Sequence, residues 1–598
     1  MSSLDSPLLL PKQELKKHLY PVLIFVILLS VISAVKFWPK VSGMDLWDND
    51  DYMRYVQFSE WLEHGHWYLQ PMERFNPQDG QIMHWSRLPD IPLAGFTLIF
   101  SSVFEPETAK AISMTLVPAI YMLVTVTSLS ILSIRLFGAS SAFYCAVYAV
   151  SSALLVKFIP GSIDHHNIQL AIAALFLALL PLSSADLDKK HIAWLQGLLI
   201  ALSLWVGVGN VIFYAITLSV FTLMAYFYKP NAFKYILNLC SSAFIFTVVC
   251  TLLNRPFSEF FIPHTDAISA LFASCLFSGV IFCVLAPIAL KQDKKYKIAA
   301  LFLLGGLSVL PTILLFPEVL SGGYVGYPPL LLEYWLDHVA EAKSKLEYIR
   351  QDGFFSSSNI FLIYLPAILS IYFLKKKPQY IALYLVFILA VAQCLFWQNR
   401  ASLIAVLLGV PLQTLFCLSI TEKLKTSLAR VAVVLWLSPL FITVALGGLS
   451  EDDTKSGNEL TTVDKDKISL VQLIKENEVH QELILAPIEY GAILLARTDN
   501  HILSAPYHRN IKGNTYTIET FVENDMEQVR QSLANKDISY ILIGEKKQSA
   551  LLRNHSEKGS FINRLAEKEL PSWIQLIDST SSGEVLFKVQ KEGMYEKQ

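Results

Sequence analysis

Apolar residues fill long, nearly unbroken stretches over the first three quarters of this chain, and polar residues are confined to the gaps between them. A membrane span needs about 20 mostly apolar residues. On that measure thirteen segments qualify: 21–38, 111–134, 138–157, 168–184, 191–208, 209–227, 235–253, 267–290, 298–316, 358–374, 379–396, 401–418 and 431–447. Ile91–Phe104 is too short for an easy span and reads as an interfacial or re-entrant helix. After about residue 450 the pattern changes. Charge is spread throughout, and the apolar runs Glu482–Ala486, Ile538–Ile543 and Val585–Val589 are only strand-length, with a helix-like stretch at Glu523–Lys536. The pattern predicts an α-helical polytopic membrane domain over 1–449, with about thirteen transmembrane helices, and a soluble mixed α/β domain over 450–598.

The flanking charges orient the spans. Lys12, Lys16 and Lys17 precede the first run, which puts the N-terminus in the cytoplasm, and the run reads as an uncleaved anchor. Alternation then gathers Arg135, Lys189-Lys190, Lys229–Lys234, Lys291–Lys297, Lys375–Lys377 and Lys423–Arg430 on the cytoplasmic side. Loops 39–110, 158–167 and 317–357 and the soluble tail face the opposite side, the periplasmic or extracellular one for a plasma (bacterial inner) membrane. Composition agrees: 53% of residues are apolar and 16% charged, against about 25% charged in soluble proteins. A net charge of −2 gives no sign of a nucleic-acid partner, and all seven cysteines lie inside apolar runs, with neither a disulfide framework nor a thiolate metal motif.

Polar residues then gather at one membrane face. Loop 39–110 carries Asp48, Asp50 and Asp51, three carboxylates in four residues, whose mutual repulsion calls for a cation or an Arg nearby. Carboxylate oxygens suit Mg²⁺ or Mn²⁺; a solvated turn capping the next helix accounts for the cluster equally well. Asp164-His165-His166 lies two crossings later on the same face, where it is either part of an O/N metal site or a helix cap. Loop 317–357 combines glycines and prolines (Gly322 to Pro329) with Trp335–Lys343, a mobile substrate loop or an amphipathic surface helix. Arg400 stands at the mouth of two late spans, placed to snorkel or to hold a phosphate.

The first loop, with its Asp cluster followed by Tyr52-x-Arg54-x-Val56-Gln57, Asn76-Pro77-x-x-Gly80 and His84-Trp85-Ser86-Arg87-Leu88, resembles that of oligosaccharyltransferase catalytic subunits, members of the GT-C glycosyltransferase superfamily, the archaeal ones especially. Asp164-His165-His166 matches their second acidic motif in kind and distance. The resemblance implies a GT-C fold and transfer of a sugar from a polyprenyl-phosphate or -diphosphate carrier to a protein, lipid or glycan acceptor. It implies Asp50 and Asp51 as catalytic carboxylates and a divalent ion, Mn²⁺ or Mg²⁺, held by Asp50, Asp51, Asp164, His166 and Glu341. By the same resemblance Glu341 reaches the acceptor, Arg400 contacts the donor phosphate, and Glu489 and Tyr490 stand where the soluble domain's Trp-Trp-Asp-Tyr-Gly acceptor motif is expected. Both tryptophans of that motif are missing, which makes a lipid or surface-glycan acceptor the rival to asparagine of a protein. A transporter or flippase of lipid-linked sugars is the rival of another class; it would hold ionisable groups near the membrane midplane, whereas here they crowd the loops.

Overall fold

The computed structural model describes residues 12–228, 232–320, 326–352, 364–374, 380–447, 469–544 and 547–590. Gly322 to Val325, Lys375 to Lys377, the start of the 358–374 segment and the junction expected near 450 lie outside the described residues. A long helix α1 (Lys12–Ser42) leads into α2 (Asn49–His64) and α3 (Asp90–Phe100), which belong to the first loop. Then come α4 (Pro106–Phe137), α5 (Ser141–Val150), α6 (His166–Ala178), α7 (Lys190–Val206), α8 (Val211–Tyr228), α9 (Ala232–Asn254), α10 (Ala270–Leu290) and α11 (Lys294–Leu315). After Leu365–Leu374 the bundle closes with α12 (Ile381–Phe396), α13 (Ser402–Thr421) and a pair, Ser427–Trp436 and Pro439–Ala445, bent by 64°.

A helix stands at each of the thirteen apolar segments, but not all are full spans. Among the described residues six are long and apolar enough to cross a membrane, seven with the bent pair counted as one. The others have 10–17 residues. The helix in segment 138–157 shows why: α5 ends at Val150, and Ser152 caps a short 3₁₀ turn, Ala153–Phe158, that carries the chain back up to Lys157. Only Ser151 and Ser152 interrupt the apolar run at that break, too short a dip for averaged hydropathy to register. Ile91–Phe104 forms the short helix α3, with Leu93, Ala94 and Thr97 buried and Leu98, Ile99 and Val103 exposed. Helix α13 is largely buried at the centre of the bundle. Ile24, Leu28, Val31, Ile32 and Val35 of α1 and Phe302, Leu303 and Leu314 of α11 are exposed, as suits surfaces that meet lipid rather than water. This is a membrane protein.

The tail folds around a five-stranded mixed sheet of Leu483–Leu485 (β1), His501–Ile502 (β2), Tyr540–Ile543 (β3), Ile574–Ser579 (β4) and Val585–Val589 (β5), in the order β2-β1-β3-β5-β4. Strands β2, β1 and β3 are parallel, while β5 is antiparallel to its neighbours β3 and β4. The expected helix is there as Met526–Asn535, N-capped by Asp525. The first loop joins the open edge of the sheet. Asn76 N–H donates to the Ile502 carbonyl at 2.7 Å, and Ile502 N–H to that of Arg74 at 3.0 Å. The Arg74 guanidinium reaches the carbonyls of Leu495, Thr498 and Asn500 at 2.8–3.2 Å. One hydrophobic core runs from Tyr52, Met53 and Phe75 into Tyr490, Ile493 and Tyr507, so the soluble domain is seated on the first loop.

Candidate active site

Helix α2 starts where the acidic cluster sits because Asp48 is its N-cap. The Asp48 carboxylate accepts the Asp51 N–H at 3.0 Å, and the Asp51 carboxylate returns the contact to the Asp48 N–H at 3.3 Å, a reciprocal capping box. Asp51 does more than cap. Its Oδ1 accepts the N–H groups of Ile163 (2.6 Å) and Asp164 (2.9 Å), so one fully buried carboxylate ties the second acidic segment to the first. Asp164 in turn accepts the N–H of His166, the first residue of α6, at 2.7 Å, and the Lys157 ammonium at 2.8 Å. Capping and convergence are therefore both true of the two clusters.

The result is a cluster with a buried floor and an exposed rim. Asp51 and Asp164 form the floor. At the rim, the side chains of Asp48, Glu341 and Arg400 are about half exposed. Arg400 Nε meets Glu341 at 3.2 Å, the Arg400 backbone N–H donates to the Glu341 carbonyl at 3.1 Å, and His166 Nε2 faces the other Glu341 oxygen at 3.8 Å. Asp50, Asp51, Asp164, His166, Glu341 and Arg400, drawn from three loops and a helix start, are thus brought together. The structure adds Asp48, whose carboxylate lies with those of Asp51 and Asp164 in a group whose ligand atoms are all within 4.8 Å.

The electrostatics are unbalanced toward negative charge. Burial, and the carboxylates of Asp48, Asp164 and Glu341, push the Asp50 carboxyl well above its ordinary range, with Lys157 opposing. Burial and the same two aspartates raise Asp51 likewise. Asp164 goes the other way: burial resists its ionisation, but His166, Lys157 and His165 hold it well below the usual carboxylate range. An oxygen-rich, over-anionic pocket fits a divalent cation, and Asp48, Asp50, Asp51, Asp164 and His166 are the residues that could hold one.

Lys157 and Tyr507 were not visible as site residues. Lys157 bridges Asp164 and, at 3.6 Å, Asp48, but in the sequence it closes an apolar run. Tyr507, from the soluble domain, donates to the Asn49 carbonyl at 2.9 Å, and the Asp50 and Asp48 carboxylates add to the burial that pushes its hydroxyl well above its ordinary range. Its only sequence signal is its place in the polar stretch His501–Asn510. Glu489 and Tyr490 stand differently from the rest. Glu489 exchanges hydrogen bonds with Gln548, N to Oε1 at 3.1 Å and Oε2 from Gln548 N at 3.4 Å, and Tyr490 is completely buried in the core shared with α2.

The other first-loop motifs build the wall behind the pocket. Arg54 and Asp90 form a fully buried ion pair at 2.8 Å; Gln57 and Arg87 also bond Asp90, and the Arg54 guanidinium lies 4.6 Å from the Trp85 ring centroid. Trp85 packs beside His165 and Tyr507.

No protein-family profile and no curated protein sequence matches the chain. Solved structures do match. The archaeal oligosaccharyltransferase AglB of Archaeoglobus fulgidus, in complex with an inhibitory peptide and a dolichol-phosphate, aligns with a TM-score of 0.61 at 15% identity, over 96% of this chain and 74% of that one. A complex of the Archaeoglobus fulgidus oligosaccharyltransferase with Zn and sulfate gives 0.57 at 15% identity, over 96% and 73%. ArnT from Cupriavidus metallidurans bound to undecaprenyl phosphate aligns over 96% and 99%, with a TM-score of 0.40 at 11% identity. With its helical bundle, short α2 and α3 in the first loop and a seated soluble domain, the chain has a GT-C fold of the oligosaccharyltransferase type.

Proposed function

We propose that the protein is a membrane glycosyltransferase that moves a sugar or oligosaccharide from a polyprenyl-phosphate or -diphosphate carrier to an acceptor on the extracytoplasmic face. The observation that carries this reading is the meeting of Asp48, Asp50, Asp51 and Asp164 with His166, Glu341 and Arg400 at one pocket mouth. The fold it shares with an oligosaccharyltransferase crystallised with a dolichol-phosphate adds support.

In the reaction the acceptor heteroatom attacks the anomeric carbon as the bond from that carbon to the carrier phosphate breaks. The acceptor proton passes to a first-loop carboxylate, Asp50, whose raised proton affinity suits it to accept one, with Tyr507 packed beside it. The bonding pair leaves on the phosphate, and Arg400 receives its charge through a forked guanidinium contact. A bound divalent ion, Mn²⁺ or Mg²⁺, held by Asp50, Asp51, Asp164, His166 and Glu341 with Asp48 beside them, would supply Lewis-acid stabilisation of that leaving phosphate. Glu341 lies within reach of both Arg400 and His166, where an acceptor would enter.

The acceptor is better read as a membrane lipid or surface glycan than as asparagine of a protein. The segment that stands in for the peptide-recognition motif is closed, with Tyr490 buried and Glu489 engaged by Gln548. Transfer from a lipid-linked donor in liposomes, after chelation, tests the assignment. Sugar transfer is expected to stop in chelator and return on titration with Mn²⁺ or Mg²⁺. Full transfer in chelator would overturn the metal-assisted mechanism, and lipid-linked sugar that crosses the bilayer without being transferred would overturn the enzyme in favour of a flippase.

A further inference from the structure

A second group of ligand-bearing side chains lies outside the acidic pocket. His84 comes from the first loop, Asp266 from the segment between α9 and α10, and His508 from the soluble domain, and their ligand atoms all lie within 4.8 Å of one another. We propose that these three residues form a second metal centre, a zinc site that fastens the soluble domain to the membrane domain, independent of the reading of the acidic pocket.

The chemistry of the donor set favours zinc over Mg²⁺ or Mn²⁺. Two borderline imidazoles with one carboxylate form a donor set that binds Zn²⁺ in four-coordinate sites, whereas the acidic cluster offers mostly hard oxygens. The supporting contacts are those of a metal-binding carboxylate. Arg509 grips Asp266 with two bonds, Nε to Oδ2 at 2.6 Å and Nη2 to Oδ1 at 2.7 Å, and is itself anchored by a 3.4 Å contact to the Met83 carbonyl. That grip fixes the carboxylate and leaves a lone pair on Oδ1, as partners behind a metal ligand commonly do. His508 Nε2 lies 2.8 Å from Asp266 Oδ2, so the proton shared there lies between two of the three proposed ligand groups. The His84 and His508 rings are 4.5 Å apart.

An independent observation points to a missing partner. His84 Nδ1 is shielded from solvent and has no hydrogen-bond partner among the described residues. A buried imidazole nitrogen left so is costly, and metal ligation at this ring, with its other nitrogen bonded by solvent or protein, removes that cost. The three ligands are separated by 182 and 242 positions in the chain, so a metal here closes long loops and stabilises only the assembled state.

The test uses the full chain in detergent, stripped with chelator, supplied with Zn²⁺ and gel-filtered before metal analysis, with Asp164→Asn as background to weaken the acidic pocket. About one zinc per chain is expected to be retained, to raise the melting temperature and to slow proteolytic release of the soluble domain. Adding His508→Ala or His84→Gln should abolish all three effects. Zinc retained equally by those variants, or no zinc retained before they are made, would overturn the site. Should the variants not fold, cobalt(II) in the Asp164→Asn chain decides: intense visible ligand-field bands of a tetrahedral centre support it, and their absence overturns it.

Discussion

Two buried groups of charge, both centred on the first loop, have opposite character. Around Asp90 the charges are sealed from solvent: Arg54 and Arg87 share one carboxylate, Gln57 also bonds it, and Asp90 and the Arg54 side chain have no exposure. Around Asp50 the negative charges outnumber what Lys157 can answer, and the group opens to the surface through Asp48, Glu341 and Arg400. The first group satisfies its carboxylate inside the fold and is shut off from solvent; the second leaves negative charge unanswered and open to a ligand.

Removing one charge from each group should therefore give opposite results. Asp90→Asn keeps the shape but strands two buried guanidinium groups, and is expected to cost about 3–5 kcal/mol, read as a collapse in folded yield and thermal stability. Asp164→Asn loosens the buried pair with Lys157, which keeps its contact to Asp48, so it should cost clearly less stability than Asp90→Asn while lowering metal-dependent sugar transfer by about 100-fold or more, since even partners behind a metal ligand are worth 10–100-fold. Equal loss of stability in the two variants would erase the distinction. At the open side, Arg400→Lys retains charge but loses the fork, and transfer should fall by about 10- to 100-fold with expression intact; wild-type turnover would reduce Arg400 to a snorkelling side chain.

The smallest effect sharpens the rule elsewhere on α2. Burial, with Glu73 and Glu63 adding and Arg74 and His64 opposing, pushes the Glu60 carboxyl up from 4.5 to about 6. The folded chain then binds this proton more tightly than the unfolded one, so stability falls as pH rises from 4.5 to 6 and stays lowered above it, by about 1–2 kcal/mol. Glu60→Gln should flatten that part of the stability profile in pH-resolved thermal melts. A mutant and wild type that differ by a constant amount at every pH would show that Glu60 carries no such penalty.

Much of this was legible in the chain. The two acidic segments could be placed on one face because basic flanks alternate so regularly, and the structure joins them through Asp51. Glu341 and Arg400 had weak local signals, yet they meet at 3.2 Å. What stayed hidden has physical causes. Two serines in a long apolar run barely lower its averaged hydropathy, so the break after Val150 that delivers Lys157 is passed over, although Ser152 is the cap that marks it. Strand β2 is two residues long, too short for any alternation. Strand β4 carries a register shift between Leu576 and Asp578 that breaks its period of two, as bulges do. Tyr507 could not be found because contacts made across more than four hundred residues depend on docking, not on local pattern.

The double grip of Asp51 has a mechanical consequence. Its carboxylate is the common datum for the start of α2 and for the backbone at Asp164. A helical bundle breathes as the bilayer thins or thickens, and helices that merely neighbour one another would carry their ligands apart. Here the two acidic arms are pinned to one carboxylate, so strain in the lipid is expected to reach the rim at Glu341 and Arg400 sooner than the spacing within the floor. Membrane composition should then act on the rim at Glu341 and Arg400 before it acts on the spacing of Asp51 and Asp164.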